Sequence, residues 1–144
     1  MDAHTAKLLR LIRDEPFDYG FDTKADELVA RYMRQDVPAT MNWLVSIFRE
    51  YHSTDWVLIG ILRIIARLDY REVGELGVEM ATSAVHGTDA EVIECGVRAF
   101  ESWGQTAHIP LLQELDVQPG WVQEYIHGVI DDLINAGDVD DDGY

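Results

Sequence analysis

The chain has 144 residues, 47% of them hydrophobic, 26% charged, with a formal net charge of −16. That length suits one domain with its own apolar core, and a single cysteine, Cys95, excludes an internal disulfide. The acid excess excludes direct nucleic-acid binding, which depends on Lys and Arg neutralising phosphates. Its distribution is uneven: residues 1–71 hold 10 basic against 11 acidic side chains, whereas residues 72–144 hold only Arg98 against 16 acids.

Helical signals follow one another along the chain. Ala3–Arg13 carries Leu8, Leu9 and Ile12 on one side and breaks at Pro16 and Gly20. A linker from Asp14 to Phe21 brings three aromatics, Phe17, Tyr19 and Phe21, expected to pack back onto the domain or to face a partner. Thr23 is suited to cap a second helix with Ala25, Leu28, Val29 and Tyr32 as its apolar stripe. Pro38 suits the first turn of a third, whose buried side is Leu44, Ile47, Phe48 and Tyr51.

Ser53 opens a fourth helix through Leu68, and the run Trp56 to Leu62 is apolar all round, which predicts burial on several sides. A fifth spans Tyr70–Val85 and stops near Gly87. Thr88 and Glu91 read as a capping box for a sixth ending at Trp103 and Gly104. Thr106 starts a short seventh. Pro119 stands in the first turn of an eighth, which stops at Gly137 and leaves 138–144 as an acidic tail. No strand pattern occurs. No apolar run approaches the ~20 residues that span a bilayer, and no basic leader precedes an apolar stretch, so the chain reads as cytosolic.

The chain aligns with itself at an offset of 35 residues: Ser53 falls on Thr88, Val57 on Val92, Leu58 on Ile93, Leu62 on Val97, Arg63 on Arg98, Ile65 on Phe100 and Leu68 on Trp103. A looser copy 30 residues on places Val122, Val129, Ile130 and Leu133 over Val92, Ala99, Phe100 and Trp103. Such periods mark helical hairpins that need a neighbour to bury their faces. The segment Asp89 to Trp103 (Asp-x-x-Val, then Arg98-Ala99), with Ile109-Pro110-Leu111-Leu112 after it, resembles a short HEAT-like repeat, and the likeness covers about 53–134. Residues 1–52 share only the helical habit. The resemblance implies an α/α superhelix of about eight helices across 1–137, a concave face lined by the second helix of each hairpin, and protein binding as the common use.

On the fifth helix, the one such a stack would turn inward, Glu72, Glu75 and Glu79 recur at helical spacing as a stripe of unpaired like charge. Glu114, Asp116, Glu124, Asp131 and Asp132 extend the candidate partner-binding surface. Gly74, Gly77, Ala81 and Ala84 form a small-residue stripe on the same fifth helix, suited to close packing. Glu94 and Arg98 make an i,i+4 surface pair. The tail 138–143 matches the opening of an EF-hand loop but lacks its last ligands, so no metal is expected there. The five histidines are isolated, Cys95 sits in an apolar helix, and no nucleophile elbow, phosphate loop or dinucleotide fingerprint occurs. Neither a cofactor nor a catalytic role is expected. The resulting expectation is an all-α module that binds a basic protein, with an immunity-type inhibitor of a nuclease-like toxin as the leading instance. An adaptor or assembly scaffold is the alternative, and a helical-repeat enzyme stands third.

Overall fold

The computed structural model describes residues 2–15 and 22–141, with side chains to 136. Among them are eight α-helices and one 3-10 turn, with no strand: α1 (Ala3–Asp14), α2 (Lys24–Gln35), α3 (Val37–Glu50), α4 (Asp55–Ala66), α5 (Tyr70–Val85), α6 (Ala90–Trp103), the turn Thr106–His108, α7 (Ile109–Gln113) and α8 (Gly120–Asp141). The aromatics expected in the linker, Phe17, Tyr19 and Phe21, lie outside the described residues.

Capping chemistry sets most boundaries. Thr23 and Asp26 form a reciprocal capping box on α2, and Asp36 accepts from the Ala39 amide to start α3. Two starts fall one residue later than the sequence suggests. Thr54 rather than Ser53 heads α4, and Asp89 rather than Thr88 caps α6. The Asp89 carboxylate accepts from the Val92 amide at 3.0 Å, so the Thr88–Glu91 box is not the one used. The shift keeps both starts 35 residues apart. At the other end α8 does not stop at Gly137 but runs to Asp141. That helical backbone passes through Asp138 to Asp141, which is incompatible with the turning loop an EF-hand requires.

Neighbours along the chain and neighbours once removed pack together. One row runs α2, α4, α6, α8, each touching the next; α3 touches α5 beside it, and α1 lies against α2 and α4. Helix α4 accordingly meets α1, α2, α3, α5 and α6, as its apolar circumference requires, with Trp56 left 44% exposed.

The burial pattern repeats down that row. The 35-residue offset carries every buried residue of α4 onto a buried residue of α6. The 30-residue offset does the same from Val122, Ile126, Val129, Ile130 and Leu133 of α8 back to α6. An offset of 32 lays Ala25, Asp26, Leu28, Val29 and Met33 of α2 over Val57, Leu58, Gly60, Ile61 and Ile65. Thus α2, within the stretch that shares only a helical habit by sequence, has the same burial register as α4.

Helices α5 and α6 pack closely, and small residues permit it. A Cβ built on Gly96 would stand 3.0 Å from the Ala81 carbonyl oxygen, 3.0 Å from Ala84 Cβ and 2.9 Å from Val85 Cγ1. The small stripe of Gly77, Ala81 and Ala84 therefore packs as expected. Gly74 is not part of it: with φ 50° and ψ −145° it interrupts α5 with a kink that L-residues rarely adopt.

Candidate acidic interface on the terminal helix

Because packing order follows chain order, the charge asymmetry of the sequence becomes an asymmetry along the stack. Helices α1 to α4 form the balanced end, and α5 to α8 carry the acids. All eight candidate carboxylates, Glu72, Glu75, Glu79, Glu114, Asp116, Glu124, Asp131 and Asp132, are exposed, but packing sorts them into two groups.

The three on α5 do not make the continuous unpaired stripe that their spacing suggests. The kink at Gly74 separates Glu72 from Glu75 and Glu79, so the helical spacing does not align them on one face. Glu79 is moreover ion-paired to Arg49 of α3. A basic partner would have to displace that arginine.

The other five belong to the α7–α8 end. Helix α8 buries Val122, Ile126, Val129, Ile130 and Leu133. At 100° per residue, Glu124 and Asp131 lie opposite these residues, Asp132 lies on the flank about 100° from Asp131, and Trp121, 51% exposed, stands between them. Glu114 and Asp116 occupy the segment before α8. The Gln123 side chain fixes that segment: it accepts from the Val117 amide at 2.9 Å and donates to the Leu115 carbonyl at 3.1 Å. Asp116, between them, is held close to the first turns of α8.

The platform is anchored to α6 from below. Tyr125 donates its hydroxyl to Glu101 at 2.8 Å, and the Arg98 guanidinium stands 5.4 Å from the centre of its ring. Burial and the Glu101 carboxylate push the Tyr125 phenol far above its usual range. Arg98 also pairs with Glu94 at 3.1 Å, the surface pair expected from their spacing. Trp121 escaped the sequence reading because an aromatic beside Val122 looks like core. Its spacing of three, ten and eleven residues to Glu124, Asp131 and Asp132 was the available signal.

The five histidines and the cysteine are each bonded or buried. His4 meets the Tyr32 hydroxyl, His52 the Arg49 carbonyl, His86 the Thr82 carbonyl and His127 the Gln123 amide. His108 is buried, and desolvation holds its imidazole below the usual value. Cys95 is buried too, and the same effect raises its thiol, which disfavours the thiolate. Among the described residues no group of three His, Cys, Asp or Glu side chains could hold a metal ion, and no helix is long and apolar enough to cross a membrane.

No family model matches the chain, and neither a curated protein nor a solved structure matches it.

Proposed function

We propose that this chain is a protein-binding module that engages a basic protein through the outer face of α8. The observation that carries the reading is Trp121, half-exposed on a helix face whose other neighbours include Glu124, Asp131 and Asp132. Carboxylates steer a cationic partner and raise its association rate. An exposed indole supplies the desolvated anchor from which most interface energy comes. A row of carboxylates alone would give encounter without residence.

The most concrete instance is an inhibitor of immunity type that covers an electropositive active site, such as that of a nuclease, in the reducing cytosol where a lone thiol such as Cys95 persists. The equivalent burial of α2, α4, α6 and α8 supports a HEAT-like stack as the scaffold. A second exposed indole, Trp56 on α4, favours an adaptor as the other reading, since a scaffold needs two separated contact points.

The test is capture from a lysate of the source cell on the wild-type chain, on Trp121→Ala and on a Glu124→Lys, Asp131→Lys, Asp132→Lys triple variant. The reading expects a basic protein held by the wild type, lost from both variants, and associating more slowly as salt rises. Retention on both variants removes the α8 face as the site. If the captured protein is an enzyme whose activity stays intact in the complex, the inhibitor role falls and the adaptor stands.

A further inference from the structure

A second feature lies at the opposite, charge-balanced end. Between the start of α1, the end of α2 and the start of α3 is an open groove of about 340 Å³, lined in part by His4, Tyr32, Trp43, Asp2 and Asp36. We propose that it is a binding site for an alkylated ammonium ion, held against the three rings and neutralised by the two carboxylates.

The rings form a corner, not a stack. His4 and Tyr32 lie 5.5 Å apart with planes at 90°, and Tyr32 and Trp43 5.5 Å apart at 75°. Each is fixed by its polar atom. The Tyr32 hydroxyl and His4 Nδ1 are 2.7 Å apart, and the Trp43 indole donates to Thr5 Oγ1 at 2.9 Å. Thr5 in turn donates to Asp2 at 3.0 Å, so ring and carboxylate are positioned by one chain of bonds. Aromatic rings attract cations through their quadrupole, and all three rings line the same groove.

Charge selects the same ligand. Asp2 and Asp36 cap α1 and α3, whose N-termini each contribute about half a positive charge. Two full negative charges outweigh two halves, and no Lys or Arg is among the lining residues. The carboxylates are already hydrogen-bonded, Asp2 through both oxygens and Asp36 through Oδ1, so they offer field more than acceptors. That suits a cation which needs no hydrogen bonds and is weakly hydrated, and an alkylated ammonium meets both conditions. It could be a free quaternary amine or a trimethylated lysine; the chemistry is shared. The site is independent of the α8 face.

The probe is choline, titrated against the neutral carbon isostere 3,3-dimethylbutan-1-ol while the Trp43 indole N–H is followed by NMR. The expected result is a shift of that signal by choline with roughly ten-fold tighter binding than the isostere. The Asp2→Asn, Asp36→Asn double variant keeps both caps, because Asn is an equally good N-cap, and should weaken choline several-fold without loss of fold. A peptide carrying trimethyllysine, compared with its unmethylated form, assigns the source: tighter than choline means a modified protein, weaker means a small amine. Equal binding of choline and isostere, an unmoved Trp43 signal, or choline binding unchanged in the Asn variant would each overturn the proposal.

Discussion

The indole N–H of Trp103, near the end of α6, donates to the carbonyl oxygen of Ile65, near the end of α4, at 3.1 Å. The next residue of α4 is served in the same way, since Ser102 Oγ donates to the Ala66 carbonyl at 2.6 Å. The last carbonyls of any helix lack intrahelical donors. Here one row member caps the previous one, which ties the register of α6 to that of α4. Trp103→Phe deletes the indole donor and leaves the Ile65 carbonyl with its backbone bond from the Leu68 amide at 3.2 Å. The expected loss is about 0.5–1.5 kcal/mol of unfolding free energy, the net worth of one hydrogen bond, measured by urea titration with an unchanged slope. A variant as stable as the wild type would show that this bond does not set the register.

Glycine substitutions should separate in sign. Gly96→Ala forces a methyl against the Ala81 carbonyl, Ala84 and Val85, all within 3.0 Å, and backbone cannot yield as a side-chain tip can. Overpacking of this kind costs about 1–3 kcal/mol. Gly128, inside α8, faces open space where a methyl would stand, so Gly128→Ala adds helix propensity without a clash. A gain of about 0.5–1 kcal/mol is expected. Thermal unfolding of the pair reads both, and a stabilised Gly96→Ala would contradict the close α5–α6 contact.

How far the sequence foretold this molecule depends on which interaction decided the outcome. Helix existence and the apolar stripes were legible because burial imposes a 3.6-residue period that survives any tertiary arrangement. The 35-residue register was legible for the same reason, since equivalent positions of α4 and α6 face equivalent neighbours. Asp89 displaced Thr88 because adjacent side chains can both cap, whereas Thr54 takes the N-cap position of α4 without a side-chain bond, so that boundary rests on backbone dihedrals. The kink at Gly74 could not be read, because a glycine within a stripe of small residues fits close packing as well as a break. Glu79 looked unpaired only because Arg49 is 30 residues away in sequence, and pairs across α3 and α5 leave no local trace. The exposure of the acids at the α7–α8 end was legible because charged side chains seldom bury, and that of Trp121 was not.

His108 should make stability fall with acidity. It is buried among Tyr70, Phe100 and Trp103, its Nδ1 has no partner, and desolvation depresses its folded pKa. Above about pH 6.5 the imidazole is neutral in both states and contributes no pH dependence. As pH falls below that value the unfolded chain takes up a proton that the folded chain resists, so stability declines until the folded pKa is reached. His108→Phe removes the titration and the unpaired nitrogen together. The difference in unfolding free energy between variant and wild type should grow as pH is lowered from about 7 towards 5. A constant difference across that interval would mean that His108 opens to solvent before it titrates.

Self-repulsion at the acidic end should be visible as a salt response of the chain alone. The net charge of −16 is carried mainly by α5 to α8 and the residues after them, with Arg98 the one basic side chain beyond residue 71. Exposed like charges are screened once the Debye length drops to about 10 Å, near 0.1 M salt. Added NaCl should therefore raise the unfolding temperature, most steeply at the lowest concentrations, where the repulsion acts over the greatest range. Asp131→Lys with Asp132→Lys brings the end closer to neutrality on the face where α8 carries Glu124 as well, and should flatten that rise while raising stability at low salt. Surface ion pairs such as Glu79 with Arg49 pull the other way, since salt weakens them, but an exposed pair contributes only about 0–1 kcal/mol. An unfolding temperature that falls with salt would mean that these attractive pairs outweigh the repulsion, and that the α8 carboxylates stand too far apart to act as one field on a partner.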